Sequence, residues 1–405
     1  MIERNYYISL LEKWKNKQVI KVVTGIRRCG KSTLMRMFRD KLLTEGIGSS
    51  HIISLNFEDI DNEKYLNYKE LYSFVKRKLQ KTGMNYLFLD EIQMVEDFQK
   101  AIASLQLIDN LDIYITGSNA YLLSGEIATL LSGRYVEIEM YPLSFKEFLS
   151  AQLKTESLEL AYKRYIEFGA FPYVTQLGAD RTLIRDYLSG LYNTIVLKDV
   201  VARRKVSDVI MLENVVSFLT DNIGNISVVK RISDTMTSAG RKISSHTVES
   251  YLSALLDSYI FYSASRYDIK GKQYLKSGSK LYLADMGLRN IIIGTRTGDL
   301  GHILENVIFM ELRRRGNEVY VGKFGETEVD FIAVNSNMRV YYQVALSVRE
   351  SVTLNRELSP LMSIPGSYPK YLLTMDNDPV VIHDGIIQMF ALDWLLDEPN
   401  PMSKQ

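Results

Sequence analysis

The stretch "VVTGIRRCGKSTL" (residues 22–34) sets a glycine, four varied residues and a Gly-Lys-Ser-Thr run between two apolar segments. Upstream, "QVIKVVTG" (18–25) is a β-branched apolar run that ends at Gly25, and downstream "KSTLMRMFRDKLL" (31–43) repeats apolar residues at helical spacing. The order is strand, loop, helix. Gly25, Ile26, Arg27, Arg28, Cys29, Gly30, Lys31 and Ser32 fill every fixed position of G-x-x-x-x-G-K-[ST] in the context that motif requires. Its glycines let the backbone curl until successive N–H groups face an anion, and the helix beginning near Lys31 adds its positive dipole end. In such a cradle Lys31 reaches the β- and γ-phosphates of ATP, the Ser32 hydroxyl is a Mg2+ ligand and Thr33 lies by the α-phosphate. Arg27 and Arg28 read either as phosphate-steering groups or as solvated loop charges, and Cys29 as a small filler.

A second apolar run, "MNYLFLDEIQMV" (84–95), leads directly into Asp90 and Glu91, a Walker B pattern. A buried parallel strand delivers its terminal carboxylates to the carboxyl edge of a sheet, where a phosphate loop also emerges. Asp90 is then expected to hold magnesium through water and Glu91 to polarise the attacking water as general base. A third such strand, "LDIYITGSNA" (111–120), breaks into polar residues. Ser118 and Asn119 are the candidates there to touch a γ-phosphate or orient water, the alternative being a plain polar turn.

At 405 residues the chain exceeds what one core fills, so several domains are expected. Lys plus Arg (49) nearly cancels Asp plus Glu (48), so any nucleic-acid contact has to come from local patches. The single cysteine excludes an internal disulfide and any Cys-rich zinc site, which fits a reducing compartment. No run reaches the ~18 apolar residues of a membrane span, and the amino terminus lacks a signal-like apolar stretch. A cytoplasmic chain without a membrane partner is the expectation.

"VVTGIRRCGKSTL", "YLFLDEIQ", "ITGSNAYLLSGEIATLLSGRYVEIEMYPLSFKEF" and "EFGAFPYV" together resemble the bacterial and archaeal AAA-type ATPases that carry a DUF4143-type carboxyl-terminal region. The resemblance implies an α/β fold: a P-loop NTPase core with a parallel sheet (1–150), a helical lid or linker (151–212), a winged-helix segment (213–290) and a restriction-endonuclease-like α/β domain (291–405). It also gives Ser118 and Asn119 the place called sensor 1. Arg134 of "LLSGRY" takes the position at which such ATPases bring an arginine to a γ-phosphate, from their own or a neighbouring subunit of a homo-oligomer. The competing reading of Arg134 is an ion pair with Glu137 or Glu139. Gly169, Phe171 and Pro172 are read as shaping the lid.

In the second half, helix, short helix, a helix starting at Ser245 and a strand pair including "KLYLADMGL" (280–288) follow the order of a winged helix. If the module binds DNA, residues His246 to Leu256 enter the major groove, and Lys270, Lys272, Lys276 and Lys280 touch phosphates. That helix, "SHTVESYLSALLD", carries no Arg or Lys, which favours protein packing over base reading. The last segment resembles a PD-(D/E)xK nuclease core, with Glu305, Asp330 and Gln343 at the acidic positions. The lysine expected two residues beyond Gln343 is Ala345, and Lys323 is the substitute at hand. The site is therefore read as degenerate. Three functions compete: a Mg2+-dependent ATPase that moves its other domains, a nucleotide switch that holds ATP or ADP and turns over slowly, and a DNA nuclease.

Overall fold

In the computed structural model, β1 (Ile20–Thr24), every residue of which is buried, runs into the Gly25–Gly30 loop and then into α2 (Lys31–Thr44), after an opening helix α1 (Asn5–Trp14). The structure describes residues 2–120, 131, 133–152, 156–202, 204–271, 273–296, 298–336 and 338–397, without the side chains of 198 and 275–277. It divides into two compact units: Met1–Pro142 with Asp257–Tyr259, and Leu143–Leu256 with Ile260–Gln405.

The first unit continues through β2 (Ile52–Asn56), α3 (Tyr68–Lys78), β3 (Asn85–Asp90), α4 (Phe98–Leu105), β4 (Leu111–Thr116) and β5 (Tyr135–Glu139). The strands form a parallel sheet in the order β2-β3-β4-β1-β5. Strand alternation sorts the side chains onto two faces. Ile20, Val22, Leu87, Leu89, Ile113 and Ile115 share one core with Leu71 and Val75 of α3 and Ile102 and Leu105 of α4. On the opposite face Phe88 stacks on Tyr114 with ring centroids 4.9 Å apart, and Phe38 of α2 lies 5.3 Å from Tyr114.

That aromatic face also carries an ion pair. Lys21 of β1, fully buried, meets Asp112 of β4, whose other oxygen accepts from Tyr114 Oη and from the Asn16 N–H, each at 2.8 Å. Burial pulls the Lys21 ammonium below its ordinary pKa, against the opposing pull of Asp112.

The second unit opens with helices: α5 (Phe145–Ser150), started by a Ser144/Glu147 capping box, α6 (Leu158–Phe168), and α7 (Arg181–Thr194), which runs on as a π-helix over Ile195–Ala202. Then come α8 (Val209–Asp221), β6 (Ile226–Ser227), α9 (Val229–Ser238) and α10 (Ser245–Asp257). Next are β7 (Phe261–Asp268), β8 (Gln273–Leu283), α11 (Met286–Ile293) and α12 (Leu300–Arg314), followed by β9 (Glu318–Phe324), β10 (Thr327–Asn335) and β11 (Met338–Ala345). α13 (Ser351–Ser363), β12 (Lys370–Thr374), β13 (Val381–His383), β14 (Ile386–Phe390) and α14 (Ala391–Leu396) complete it. The expected strand at 280–288 is longer upstream and stops at Leu283, because Asp285 caps α11 instead. Asp285 also accepts from the Ala170 N–H at 2.5 Å beside Gly169, and burial pushes its carboxyl up to about 6.

The strands assigned from sequence to a wing and to a nuclease-like core lie in one mixed sheet, β13-β14-β12-β11-β10-β9-β7-β8-β6, joined where β7 pairs in parallel with β9.

Lys21→Met should lower the unfolding free energy by about 3–5 kcal/mol, since a buried carboxylate loses its counter-charge. Lys21→Met with Asp112→Leu should be less destabilised than Lys21→Met alone. Urea unfolding curves decide it, and a single variant within 1 kcal/mol of wild type, on the order of a surface pair, would contradict this account.

Candidate functional site

Two backbone features make the loop possible. Gly25 has φ 133°, and a Cβ there would lie 2.0 Å from the Met140 carbonyl oxygen, so no other residue fits without moving the strand exit. Gly30 has φ 112° where the loop turns into α2. Ile26 and Cys29 are fully buried beneath the loop, and burial pushes the Cys29 thiol up. Lys31 is buried too, its ammonium donating to the Gly25 and Ile26 carbonyls at 2.9 and 3.2 Å. Ser32 is exposed and Thr33 half-buried. Arg27 reaches Glu58 at 3.3 Å, and Arg28 is exposed at φ 67°.

Because β4 lies between β1 and β3, the ends of all three strands meet at the carboxyl edge. Asp90 ends β3 and hydrogen-bonds the Ser32 side chain. Burial raises the Asp90 carboxyl above its ordinary value, while hydrogen bonds from Thr116 and Ser32 pull it back. Thr116, the last residue of β4, donates its hydroxyl to Asp90 Oδ1 at 2.5 Å and accepts the Glu91 N–H at 2.9 Å. It thereby ties the two acids together. Glu91 sits at φ 54° and ψ 47°, and its Oε2 accepts from Ser118 Oγ at 3.3 Å and from Gln93 Nε2. Ser118 and Asn119 are both buried at this edge. Ser32 and Asp90 supply a hydroxyl and a carboxylate, the hard oxygen donors that magnesium prefers. Thr116 and Gln93 were not singled out from sequence. The signal for Thr116 was its place as the first polar residue after "LDIYI", at the acids' end of the sheet.

Arg134 is elsewhere. It precedes β5, whose Tyr135 pairs with Ile20 at the amino end of β1, and its carbonyl accepts the Ile20 N–H at 2.9 Å. The length of β1 separates it from the phosphate loop, roughly 16 Å at strand rise. Its side chain is exposed. The carboxylates considered as its partners are engaged otherwise: Glu137 accepts from Thr24 Oγ1 at 2.7 Å and Tyr259 Oη at 3.3 Å, and Glu139 from Tyr141 Oη at 2.7 Å.

In the second unit Glu305 and Asp330 converge, and the lysine between them is Lys280. Its ammonium lies 3.0 Å from Glu305, 2.9 Å from Glu328 and 3.8 Å from Asp330. Lys280 is thus a buried ion-pair partner and not a wing lysine that touches phosphates, because β8 is held on both sides by β6 and β7 and turns that side chain inward. Lys270 is exposed, while Lys272 and the side chain of Lys276 lie outside the described residues. Glu305 also accepts from Tyr282 Oη at 2.7 Å. Burial pushes Glu305 up, but His302, Lys280 and Tyr282 outweigh it and hold the carboxyl below its ordinary value. Burial and Glu305 push Asp330 up to about 8. Gln343 turns its amide to Glu357 at 3.0 Å and its oxygen to the Asp330 N–H at 3.4 Å. A cavity of about 420 Å³ opens beside this group, lined in part by Phe218, Arg231, His302 and Glu328. Among the described residues no set of three His, Cys, Asp or Glu side chains is arranged to hold a metal ion.

Residues 17–149 match the family model described as "AAA domain", and residues 159–299, across the segments read from sequence as lid and winged helix, match a "Domain of unknown function (DUF8612)" rather than DUF4143. An uncharacterized protein of Haemophilus influenzae is 41% identical over 400 residues, covering 98% of this chain and 99% of that protein. An uncharacterized protein of Methanocaldococcus jannaschii is 32% identical over 371 residues, covering 87% and 79%. Among solved structures, the Walker-type ATPase of Pyrococcus abyssi shares the fold with a TM-score of 0.51 at 16% identity, over 72% of this chain and 96% of that one. With its phosphate loop, its acidic strand and relatives along nearly its whole length, the chain belongs to an AAA-type P-loop ATPase family that includes these Haemophilus and Methanocaldococcus proteins.

Proposed function

We propose that the chain is a magnesium-dependent ATPase whose hydrolysis cycle drives rearrangement of its second unit. The observation that carries this reading is the convergence of Lys31, Ser32, Asp90, Thr116 and Glu91 at one sheet edge. When ATP enters, its phosphates replace the Gly25 and Ile26 carbonyls as partners of the Lys31 ammonium. Ser32 and Asp90 are the residues that hold the metal, which when bound neutralises charge on the phosphate oxygens. Glu91, oriented by Ser118 and Gln93, takes the proton of the attacking water. Its presence favours turnover over a slow nucleotide-holding switch. Glu91→Gln should keep ATP affinity within about threefold and slow steady-state phosphate release by roughly 10²–10⁴-fold. Unchanged turnover would remove Glu91 as the base.

Arg134 lies at the amino edge of its own sheet, a strand's length from its own phosphate loop, and on that ground we assign it to a neighbouring subunit's γ-phosphate in a homo-oligomer. Mixing Arg134→Ala with Glu91→Gln then rebuilds complete sites at some interfaces. Equal mixing should restore up to roughly a quarter of wild-type phosphate release in a ring of random order. No recovery at any ratio would contradict the assignment.

The DNA reading loses support, because Lys280 is withdrawn from the wing's basic surface and the helix over 245–257 presents no Arg or Lys. The nuclease reading is weaker still: a divalent ion needs charged oxygens, and here one carboxyl is pushed to about 8 while a lysine ammonium faces the others. We read this group as a structural ion cluster. Lys280→Met should then cost about 3–5 kcal/mol of stability near neutral pH. Glu305, held below its ordinary pKa, contributes stability that is present above about pH 5 and lost as pH falls through its folded pKa. Lys280 is held above its ordinary pKa because Glu305, Asp330 and Glu328 outweigh the cost of burial. Its contribution is present below about pH 10 and lost as pH rises through its folded pKa. The difference between wild type and variant in urea unfolding should therefore narrow on acidification to about pH 4. A difference that does not change with pH would refute the cluster's electrostatic role.

A further inference from the structure

Arg4, the residue before α1, is buried, with 3% of its surface exposed. Its guanidinium donates to two carbonyls far apart in sequence, Cys29 at 3.2 Å and Tyr141 at 2.7 Å, and lies 4.8 Å from the Tyr7 ring. Tyr7 Oη in turn accepts the Tyr141 N–H at 3.1 Å. The first of these carbonyls belongs to the phosphate loop. The second belongs to the segment just beyond β5, where the Met140 N–H bonds the Thr24 carbonyl at 2.8 Å and the Met140 carbonyl abuts Gly25. One end of the loop therefore rests against residues 140–141 through Gly25, and the other end is tied to the same residues through Arg4.

We propose that Arg4 is a positioning residue for the phosphate loop, setting the orientation of the Cys29–Gly30 peptide that faces the anion. This rests on the reading of the loop as an ATP cradle. A trans peptide is planar, with its C=O and N–H pointing to opposite sides. Holding the Cys29 carbonyl behind the loop turns the Gly30 N–H away from Arg4, toward the side on which the amino end of α2 offers a phosphate its positive dipole end. Gly30 gives this peptide a glycine's rotational freedom, and among the described residues the side-chain donor to the Cys29 carbonyl is Arg4. The cation adds a second effect of the same sign: a buried positive charge behind the cradle attracts a polyanion with little screening. α1 has its own anchors in Tyr7 and Leu11, both buried, so docking the helix does not by itself call for a buried guanidinium.

The test uses the full chain and a fluorescent ATP analogue with magnesium. Arg4→Ala should weaken the Kd at least tenfold while kcat at saturating ATP stays within about twofold, since no catalytic group is touched. Millimolar guanidinium should restore the affinity of Arg4→Ala without raising its thermal stability to that of wild type. Should Arg4→Ala fail to fold, Arg4→Lys serves: one ammonium cannot hold both carbonyls in the same fork geometry, and a three- to tenfold weaker Kd is expected. Wild-type affinity in a folded Arg4→Lys and Arg4→Ala, or a parallel fall of affinity and kcat with no response to guanidinium, overturns the proposal. Failure of the wild-type chain itself to bind the analogue overturns the cradle reading instead, and Arg4's role with it.

Discussion

Parallel pairing of β1, β4 and β3 is the constraint from which the site follows. Parallel strands all point the same way, so the residue that ends each one arrives at a common edge. Gly25 leaves β1 there, Thr116 ends β4 and Asp90 ends β3. Insertion of β4 between the other two places the Thr116 hydroxyl where it can bond Asp90 and the Glu91 amide together. The acids are thus positioned by backbone pairing together with the hydroxyls of Thr116, Ser32 and Ser118. The same geometry excludes Arg134 from that edge, because the residue that begins a strand lies at the opposite side of the sheet from the residue that ends it.

What could be read from the sequence depended on whether the determining contacts are local. The strand, loop and helix around Lys31 were legible because the loop's backbone demands put glycines and a lysine at fixed spacings within one short segment. Asp90 and Glu91 were legible because they interrupt an apolar run. Thr116, Gln93 and Arg4 were not: their roles exist only once residues 25, 26 and 137 positions away in sequence are brought beside them, or, for Gln93, once a left-handed turn at Glu91 folds it back. The buried pair of Lys21 and Asp112 was hidden for the same reason, since a lysine inside an apolar strand shows no partner until the strand order is known. Lys280 was read from its basic neighbours as a surface residue, and the long-range placement of β8 beside Glu305 and Glu328 reverses that reading.

The two units use charge in different ways. In the first, the buried cations of Arg4 and Lys31 are held on carbonyls at or beside the phosphate loop, an arrangement that favours an anion there. In the second, one ammonium is ringed by carboxylates, and burial drives one of those carboxyls toward neutrality. The first arrangement needs an anionic ligand to be complete, and the second is already internally compensated. The acids and the phosphate loop of the candidate site thus lie in the unit that holds the AAA domain, while the charged cluster of the second unit is balanced within itself.

On the proposed reading, the edge formed by Lys31, Ser32 and Asp90 binds one magnesium-loaded nucleoside triphosphate. Titration calorimetry of the wild-type chain with ATP, run with magnesium and again with a chelator, tests it most directly. One ATP per chain is expected, with a Kd in the micromolar range or tighter that weakens at least tenfold when magnesium is removed. No binding, or binding indifferent to magnesium, would contradict it.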